Sequence, residues 1–268
     1  MKTIFHATTG GRAGLCNNRR WALAVTCAVS LSSVPAGAEE LTATPYRPTV
    51  SNPADLSAPG HVEWEAGVQR DRGGPSVKRA SVPWVLKYAF TDTFGVLVGG
   101  EGVVSQTDIN GDTLRGGGDT ALIAKFKFPV NAGSAFGVEA GRKFPTAKLG
   151  LGSDKADYTV NGIYSVDAKP LHADINMGYT RLGAVDPEAS RHLYSWATAI
   201  SCAVNDRWGV SGEVSGQTQP GAADTTQFLW ALTYNLSPRV VLDAGTAWGL
   251  NTAAPDTTVF AGVTMLFK

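Results

Sequence analysis

Residues 115–156, RGGGDTALIAKFKFPVNAGSAFGVEAGRKFPTAKLGLGSDKA, contain two extended runs that are joined by a short turn. The first run has an apolar side and a mostly polar side: Thr120, Leu122, Ala124, Phe126 and Phe128 against Asp119, Ala121, Ile123, Lys125 and Lys127. Because a β-strand has a period of two, this alternation predicts a strand with one face in an apolar environment. The turn at 129–134, PVNAGS, is rich in turn-forming residues, and the second run alternates in the same way. The repeating unit is therefore a strand, a short turn, a strand and a long polar loop.

The same unit recurs from Gly60 to the end of the chain and predicts about twelve strands of roughly ten residues each. Long loops are expected near residues 73, 110, 150, 186, 221 and 253, and short turns near 92, 131, 168, 206 and 238. Bacterial outer-membrane barrels have short turns on the periplasmic side and long loops outside the cell. The alternation of residues 193–204 is too weak to say which side of that strand faces inward.

Aromatic residues on the apolar faces of these strands support a membrane barrel. They are Trp64, Trp84, Tyr88, Phe126, Phe136, Tyr158, Tyr164, Tyr179, Trp208, Phe228, Trp230, Tyr234, Trp248 and Phe267. Many lie near strand ends, as expected for a girdle at the membrane interfaces. The lumen of a soluble barrel could not hold so many large rings. The predicted fold class is all-β, a transmembrane antiparallel up-and-down β-barrel of about 12 strands, located in a bacterial outer membrane.

The motif GGGDT, followed by two strands and KFPTA, resembles the "G-x-GD … K … LPTG" signature of the MetA-pathway-of-phenol-degradation family. A stretch between Arg47 and Glu65 is similar to the entry of that family into its first strand. The chain departs from the signature at Phe144 and Ala147, where the family has Leu and Gly. The resemblance covers roughly Arg47 to Lys268 and implies an outer-membrane β-barrel with a transport role.

Three regions are expected. Residues 1–38 are predicted to be a signal peptide, with four basic residues, an apolar run and the cleavage motif Ala36-Gly37-Ala38. Residues 39–59 are predicted to be a periplasmic N-terminal segment that leads into the barrel or is tucked into its mouth. Residues 60–268 are predicted to form the outer-membrane β-barrel.

Cleavage after Ala38 would leave 23 − 4 = 19 basic residues against 23 acidic ones, a net charge of about −4. This balance excludes nucleic acid as an expected partner. Only Cys202 would remain, and no Cys/His spacing indicates a metal site, so neither a metal nor another cofactor is expected.

The polar faces of the predicted strands supply candidate residues for a barrel lumen. The candidates are Glu63, Lys87, Glu101, Asp119, Lys125, Lys127, Glu139, Asp174, Glu213 and Asp243. They would sort a small solute by its charge, or they would form ion pairs that fill a narrow barrel. The predicted function is passive uptake or efflux of small molecules through an outer-membrane channel. The alternative is a structural or adhesive barrel whose lumen is filled by its own side chains.

No catalytic motif is present, so the chain is not predicted to be an enzyme. His172 beside a serine of a neighbouring strand is the one arrangement that raises the question of hydrolysis. For Asp119, the alternative to a role in the lumen is that it caps its loop. The expected partners are outer-membrane lipid, a small solute that the sequence does not identify, and the barrel-assembly machinery. That machinery is expected to recognise Phe267, because outer-membrane barrels commonly end with an aromatic residue on the lipid face.

Overall fold

The computed structural model describes residues 41–73 and 78–267, and the described residues belong to one unit, Glu40–Lys268. The predicted signal peptide at 1–38 lies outside the described residues. Twelve long strands and one short strand are present: β1 Val62–Arg72, β2 Lys78–Ala89, β3 Phe94–Thr107, β4 Thr113–Gly116, β5 Thr120–Asn131, β6 Ser134–Phe144, β7 Asp157–Ala168, β8 Leu171–Arg181, β9 His192–Ala203, β10 Trp208–Thr218, β11 Thr225–Ser237, β12 Val240–Gly249 and β13 Thr257–Leu266. None of the described residues lies in a helix long and apolar enough to cross a membrane.

The twelve long strands form a closed antiparallel barrel. Each strand pairs with its neighbours in sequence, and β3 pairs with β5 across the four-residue β4. The first and last strands close the barrel, with Trp64 opposite Met265 in the β1–β13 ladder. Closure pairs the backbone groups of every edge, which a sheet in lipid requires. The predicted fold class is confirmed, and β4 is an additional short strand within the predicted long loop near residue 110.

The connections follow the predicted alternation. Short turns join β2 to β3, β5 to β6, β7 to β8, β9 to β10 and β11 to β12, and the longer connections lie at the opposite end of the barrel. We call these two ends the turn end and the loop end.

The barrel has an apolar exterior and a polar interior. Outward-facing side chains such as Leu122, Phe136 and Met177 are exposed, as expected for residues that face lipid. The largest fully buried side chains include Lys87, Lys125 and Glu213, which face the lumen. This arrangement is the reverse of a soluble protein and follows directly from the period-two pattern.

Strand β9, whose facing the sequence left open, has a wall of small inward residues. Ala197 and Ala199 are buried, whereas Trp196 and Ile200 on the alternate positions are exposed. The weak alternation arises because the inward positions carry alanine and serine rather than charged residues.

Candidate functional site

The charged residues predicted for the lumen lie on inward-facing strand positions, except Asp119, which directly precedes β5. Seven are buried: Glu63, Lys87, Lys125, Glu139, Asp174, Glu213 and Asp243. The other three, Glu101, Asp119 and Lys127, are half-buried. The barrel therefore brings most of the predicted set into one enclosed space, where a charge needs a partner to be tolerated.

The buried lysines find carboxylates on neighbouring strands. Lys87 on β2 forms ion pairs with Glu63 and Glu65 of β1. Lys125 on β5 lies 3.1 Å from an oxygen of Glu139 on β6. These pairs are short-range, since adjacent strands hold their inward side chains side by side.

Residues 43–55, which we call the lumen segment, run inside the barrel. The segment starts at the turn end, where the Ala43 amide donates to the Pro238 carbonyl. The Thr44 amide then donates to Glu63 at 2.8 Å, and the Tyr46 amide donates to Glu65 at 2.8 Å. The first limb thus follows β1 from the turn end toward the middle of the barrel.

The apex of the lumen segment binds two carboxylates, one on β12 and one on β10. The Arg47 guanidinium donates to both oxygens of Asp243, at 2.9 and 3.1 Å. The amides of Val50 and Ser51 donate to the two oxygens of Glu213, at 3.1 and 2.8 Å. Charged acceptors form stronger hydrogen bonds than neutral ones, so these contacts hold the apex firmly.

The second limb of the lumen segment, residues 52–55, is held by amides, a hydroxyl and a carboxylate. The Asn52 amide donates to Asn176 at 3.0 Å, and its side chain donates to Glu139 at 3.0 Å. The Ala54 amide donates to the Ser165 hydroxyl at 2.7 Å. Five buried carboxylates of the inner wall, Glu63, Glu65, Glu139, Glu213 and Asp243, are therefore engaged by the segment, which is how they are satisfied.

Lys127 on β5 is a further lumen lysine, and it holds the last residue of the segment. Its ammonium group forms an ion pair with the Asp55 carboxylate. About half of the Asp55 side chain is exposed, so water screens this pair more than the pairs deeper in the barrel.

Tyr46 occupies the centre of the site. Its ring lies 3.8 Å from the Lys87 ammonium and 3.9 Å from the Lys125 ammonium, measured to the ring centroid. Its hydroxyl donates to the Asp55 carbonyl at 2.8 Å and so links the two limbs. Burial, followed by the nearby Glu139 carboxylate, raises the pKa of Tyr46 well above its ordinary value, so the phenol remains neutral.

Two predicted lumen residues lie away from the segment, near the loop end. Glu101 forms an ion pair with Arg79 of β2. Asp119 accepts the Ala147 amide at 3.0 Å and lies 3.1 Å from Lys143. The aspartate of the GGGDT motif thus fastens the loop after β6, and not the loop that precedes β5.

His172 lies between two carboxylates near the turn end. Its ring nitrogens contact Asp167 at 2.7 Å and Asp174 at 3.2 Å. The Ser165 hydroxyl donates to Asp174 rather than to the histidine, so the serine and the imidazole are not paired as in a Ser-His nucleophile site. Among the residues that the structure describes, no group of three or more His, Cys, Asp or Glu side chains could hold a metal ion.

Sequence reasoning missed the segment side of this site. Tyr46, Arg47 and Asn52 precede the first strand and have no periodicity, and the wall residue Asn176 is not among the predicted candidates. A detectable signal was the excess of inward carboxylates, because buried acids require donors that the strands alone do not supply.

Two cavities flank the apex of the lumen segment toward the loop end. The larger, about 520 Å³, lies against β6–β11 and is lined by Val50, Glu139, Asn161, Asn176, Ser195, Gln227 and neighbouring residues. The smaller, about 240 Å³, lies on the other side and is lined by Arg47, Thr49, Asp71, Phe260 and neighbouring residues. The larger cavity has the size of a small-molecule site, with amide and hydroxyl groups on its walls.

The chain belongs to the family described as "Putative MetA-pathway of phenol degradation", whose sequence pattern matches residues 46–267. The predicted family is therefore confirmed. A comparison with curated protein sequences finds no match.

Solved structures of outer-membrane channels share the fold. The chain resembles the COG4313 outer membrane channel from Pseudomonas putida F1, with a TM-score of 0.64 and 14% identity over 80% of this chain and 98% of the other. It also resembles the KdgM porin, with a TM-score of 0.56 and 11% identity over 77% and 99%. For the NanC porin the TM-score is 0.53, with 10% identity over 76% and 98%. The closed barrel with an apolar exterior and this fold place the protein in the bacterial outer membrane, as predicted.

Proposed function

We propose that this barrel is a passive channel for small molecules, and that the lumen segment narrows its path. The observation that carries the proposal is the 520 Å³ cavity beside the segment apex, lined by polar groups from six strands. A barrel built only as a structural element has no need for such a space. Membership of the family and the shared fold of porins support a transport role.

The way in which the segment is held also supports a channel. Most of its contacts are hydrogen bonds and ion pairs, and the apolar cluster around it is small, formed by Ala54, Ala135 and Ile163. A hydrogen bond to a charged group contributes only about 1.5–3 kcal/mol net, because water or a polar solute can replace the partner that is lost. The segment can therefore shift without exposing a large apolar surface.

The non-transporting alternative is favoured by one observation, the dense pairing of charges inside the barrel. Lys87 and Lys125 are both fully paired and buried, so the lumen is filled at their level. In that case the cavity would be a closed pocket. The two functions differ in whether movement of the segment changes conductance.

A disulfide between the segment and the wall separates these functions. A Cβ added at Gly137 would lie 3.3 Å from the Ala54 Cβ, close to the distance that a disulfide spans. The variant Ala54→Cys/Gly137→Cys, in a Cys202→Ser background, is measured in planar bilayers before and after reduction. A channel that depends on segment movement should conduct less when oxidised and recover on reduction, so each sample is its own control.

Deletion of residues 43–55 provides a second test of whether the protein is a channel. If the protein is a channel, this variant should show larger conductance steps than the wild-type protein and faster solute entry into liposomes. Silence of the wild-type, reduced and deleted proteins, all correctly folded by heat-modifiable mobility, would establish the non-transporting barrel instead.

We further propose that the protein is not an enzyme. The contact of Ser165 with Asp174, and not with His172, supports this, since a hydrolase needs its nucleophile beside the base. Ester hydrolysis by the refolded protein that is lost in Ser165→Ala would refute it.

A further inference from the structure

A row of polar and cationic side chains crosses the outer surface of four strands. Arg142 on β6 lies opposite Tyr158 on β7, Tyr158 lies opposite Arg181 on β8, and Arg181 lies opposite His192 on β9. All four side chains are exposed and lie on the alternation that faces outward. Because paired residues on adjacent strands lie side by side, they form one continuous surface.

The row lies at the outer edge of the apolar band. Arg181 is ten positions from Leu171 at the turn end, which corresponds to about 25 Å along the membrane normal for a tilted strand. Arg142 is eight positions from Ser134, or about 20 Å by the same geometry. The band of an outer-membrane barrel is about 25 Å tall, so both arginines reach the headgroup layer of the outer leaflet.

The outward positions below the row are apolar. They include Val138, Val160, Met177 and Trp196, one on each of the four strands. A lipid whose charged headgroup met the row would therefore have its acyl chains against a hydrophobic surface.

The two arginines are available for a ligand. Among residues 41–73 and 78–267, neither Arg142 nor Arg181 has a carboxylate oxygen within 4.0 Å, although most lumen lysines do. The Arg142 guanidinium lies over the rings of Phe144 and Tyr158, at 4.8 and 5.5 Å from their centroids. Stacking holds the planar group in place and leaves its edge of N–H donors free.

Outward cations at the loop end form two separate groups, one on β6–β9 and one on β1 and β2, where Arg70, Arg72 and Lys78 are exposed. At the loop ends of β10–β13 the outward residues are Thr218, Thr226, Trp248 and Thr257, none of them cationic.

We propose that Arg142, Tyr158, Arg181 and His192 form a binding site for the phosphorylated glycolipid of the outer leaflet, lipopolysaccharide. Arginine pairs with phosphate through two parallel hydrogen bonds, which gives both strength and orientation. Arg142 and Arg181 are two strand spacings apart, about 10 Å, so they can contact one headgroup from both sides. His192, which bonds to the Tyr179 hydroxyl at 2.8 Å, closes the row on the β9 side. This site does not depend on whether the lumen conducts.

The test measures binding of bisphosphorylated lipid A to the refolded full chain in detergent, by native mass spectrometry. Wild-type protein should retain lipid A. The affinity of Arg142→Gln/Arg181→Gln for lipid A should be lower by at least about tenfold. Arg142→Lys/Arg181→Lys keeps the charge and loses the paired donors, so it should fall between them. The matched control is Arg207→Gln, at the turn end, where the arginine donates to the Tyr234 hydroxyl at 3.2 Å. This variant should bind like the wild-type protein.

Further ligands identify what is recognised. Dephosphorylated lipid A and phosphatidylglycerol should bind much more weakly than lipid A, and inorganic phosphate at millimolar concentration should not displace it. Equal binding of lipid A by the wild-type and glutamine variants would overturn the proposal, as would equal binding of phosphatidylglycerol and lipid A. If the glutamine variant fails to fold, the lysine variant and the preference of wild-type protein for the phosphorylated lipid still decide the question.

Discussion

Lys125 is buried at the point where the wall, the lumen segment and Tyr46 meet. Its ammonium donates to the Pro53 carbonyl at 2.6 Å and pairs with Glu139. Removal of one partner of a buried ion pair is far more costly than removal of one partner at a surface, because the remaining charge stays buried.

Lys125→Gln is therefore expected to lower the free energy of unfolding by about 3 kcal/mol. This value is at the lower end of the range for breaking a buried ion pair, because Asn52 and Asn161 still donate to Glu139. Urea titration of the refolded protein in lipid vesicles measures the change. Lys127→Gln is the control, because its pair with the half-exposed Asp55 should contribute less than about 1 kcal/mol. Equal losses in both variants would show that burial does not decide the energetics here.

The neutral phenol of Tyr46 predicts a response to alkaline pH. The pKa is raised in the folded protein, so docking of the segment keeps its full stability below the ordinary tyrosine value of 10.0. Above that value the unfolded chain loses a proton that the folded chain retains, and stability falls until the folded pKa is reached. Stability measured between pH 9 and 11 should fall more steeply for the wild-type protein than for Tyr46→Phe. Parallel curves would remove Tyr46 as the cause.

At the scale of strands and connections, the loop end and turn end should face opposite sides of the membrane. Single cysteines placed at Gly111, Gly152, Pro187 or Gly221, in a Cys202→Ser background, should react with an impermeant maleimide on intact cells. Cysteines at Asn131 or Asp206 should react only after the outer membrane is opened. Labelling in the reverse order would mean that the barrel is inserted the other way round.

The strands were predictable and the contacts of the lumen segment were not, for a physical reason. Lipid outside and water or charge inside impose a period of two on every strand, and this pattern is visible in the sequence around Lys125 and Lys127. The segment uses backbone amides as donors, for example those of Tyr46 and Ser51. Every non-proline residue has such an amide, so the sequence carries no mark of which ones are used.

Strand β9 illustrates the same limit within the barrel wall. Its inward alanines face the large cavity, where no partner selects a polar side chain. The weak alternation of β9 is thus a consequence of the cavity beside Ala197, and it indicates where that cavity lies.

Across the whole molecule, closure depends on the last strand meeting the first. Phe267 follows β13, and its amide donates to the Val62 carbonyl at the start of β1, at 2.8 Å. We expect Phe267→Ala to reduce the amount of heat-modifiable barrel in the outer membrane while export to the periplasm continues. Since the aromatic side chain is exposed, the expected defect is in assembly rather than in the stability of the finished barrel.

Fractionation and heat-modifiable mobility of the cellular protein measure the amount of assembled barrel. Urea titration of the refolded variant measures the stability of the finished barrel. The expected result is less inserted barrel with nearly unchanged unfolding. A variant that inserts normally would exclude recognition of Phe267 by the assembly machinery.

The lumen segment is covalently joined to β1 through residues 56–61, so the barrel carries its own competitive ligand. A short tether gives such a ligand an effective concentration of the order of millimolar. A solute that needs the same carboxylates, Glu65 or Glu213, must outcompete a ligand that cannot diffuse away. Dilute solutes with weak affinity would be excluded by mass action alone, however wide the barrel is. The threshold concentration for entry would then be set by the length of the tether as much as by the chemistry of the wall.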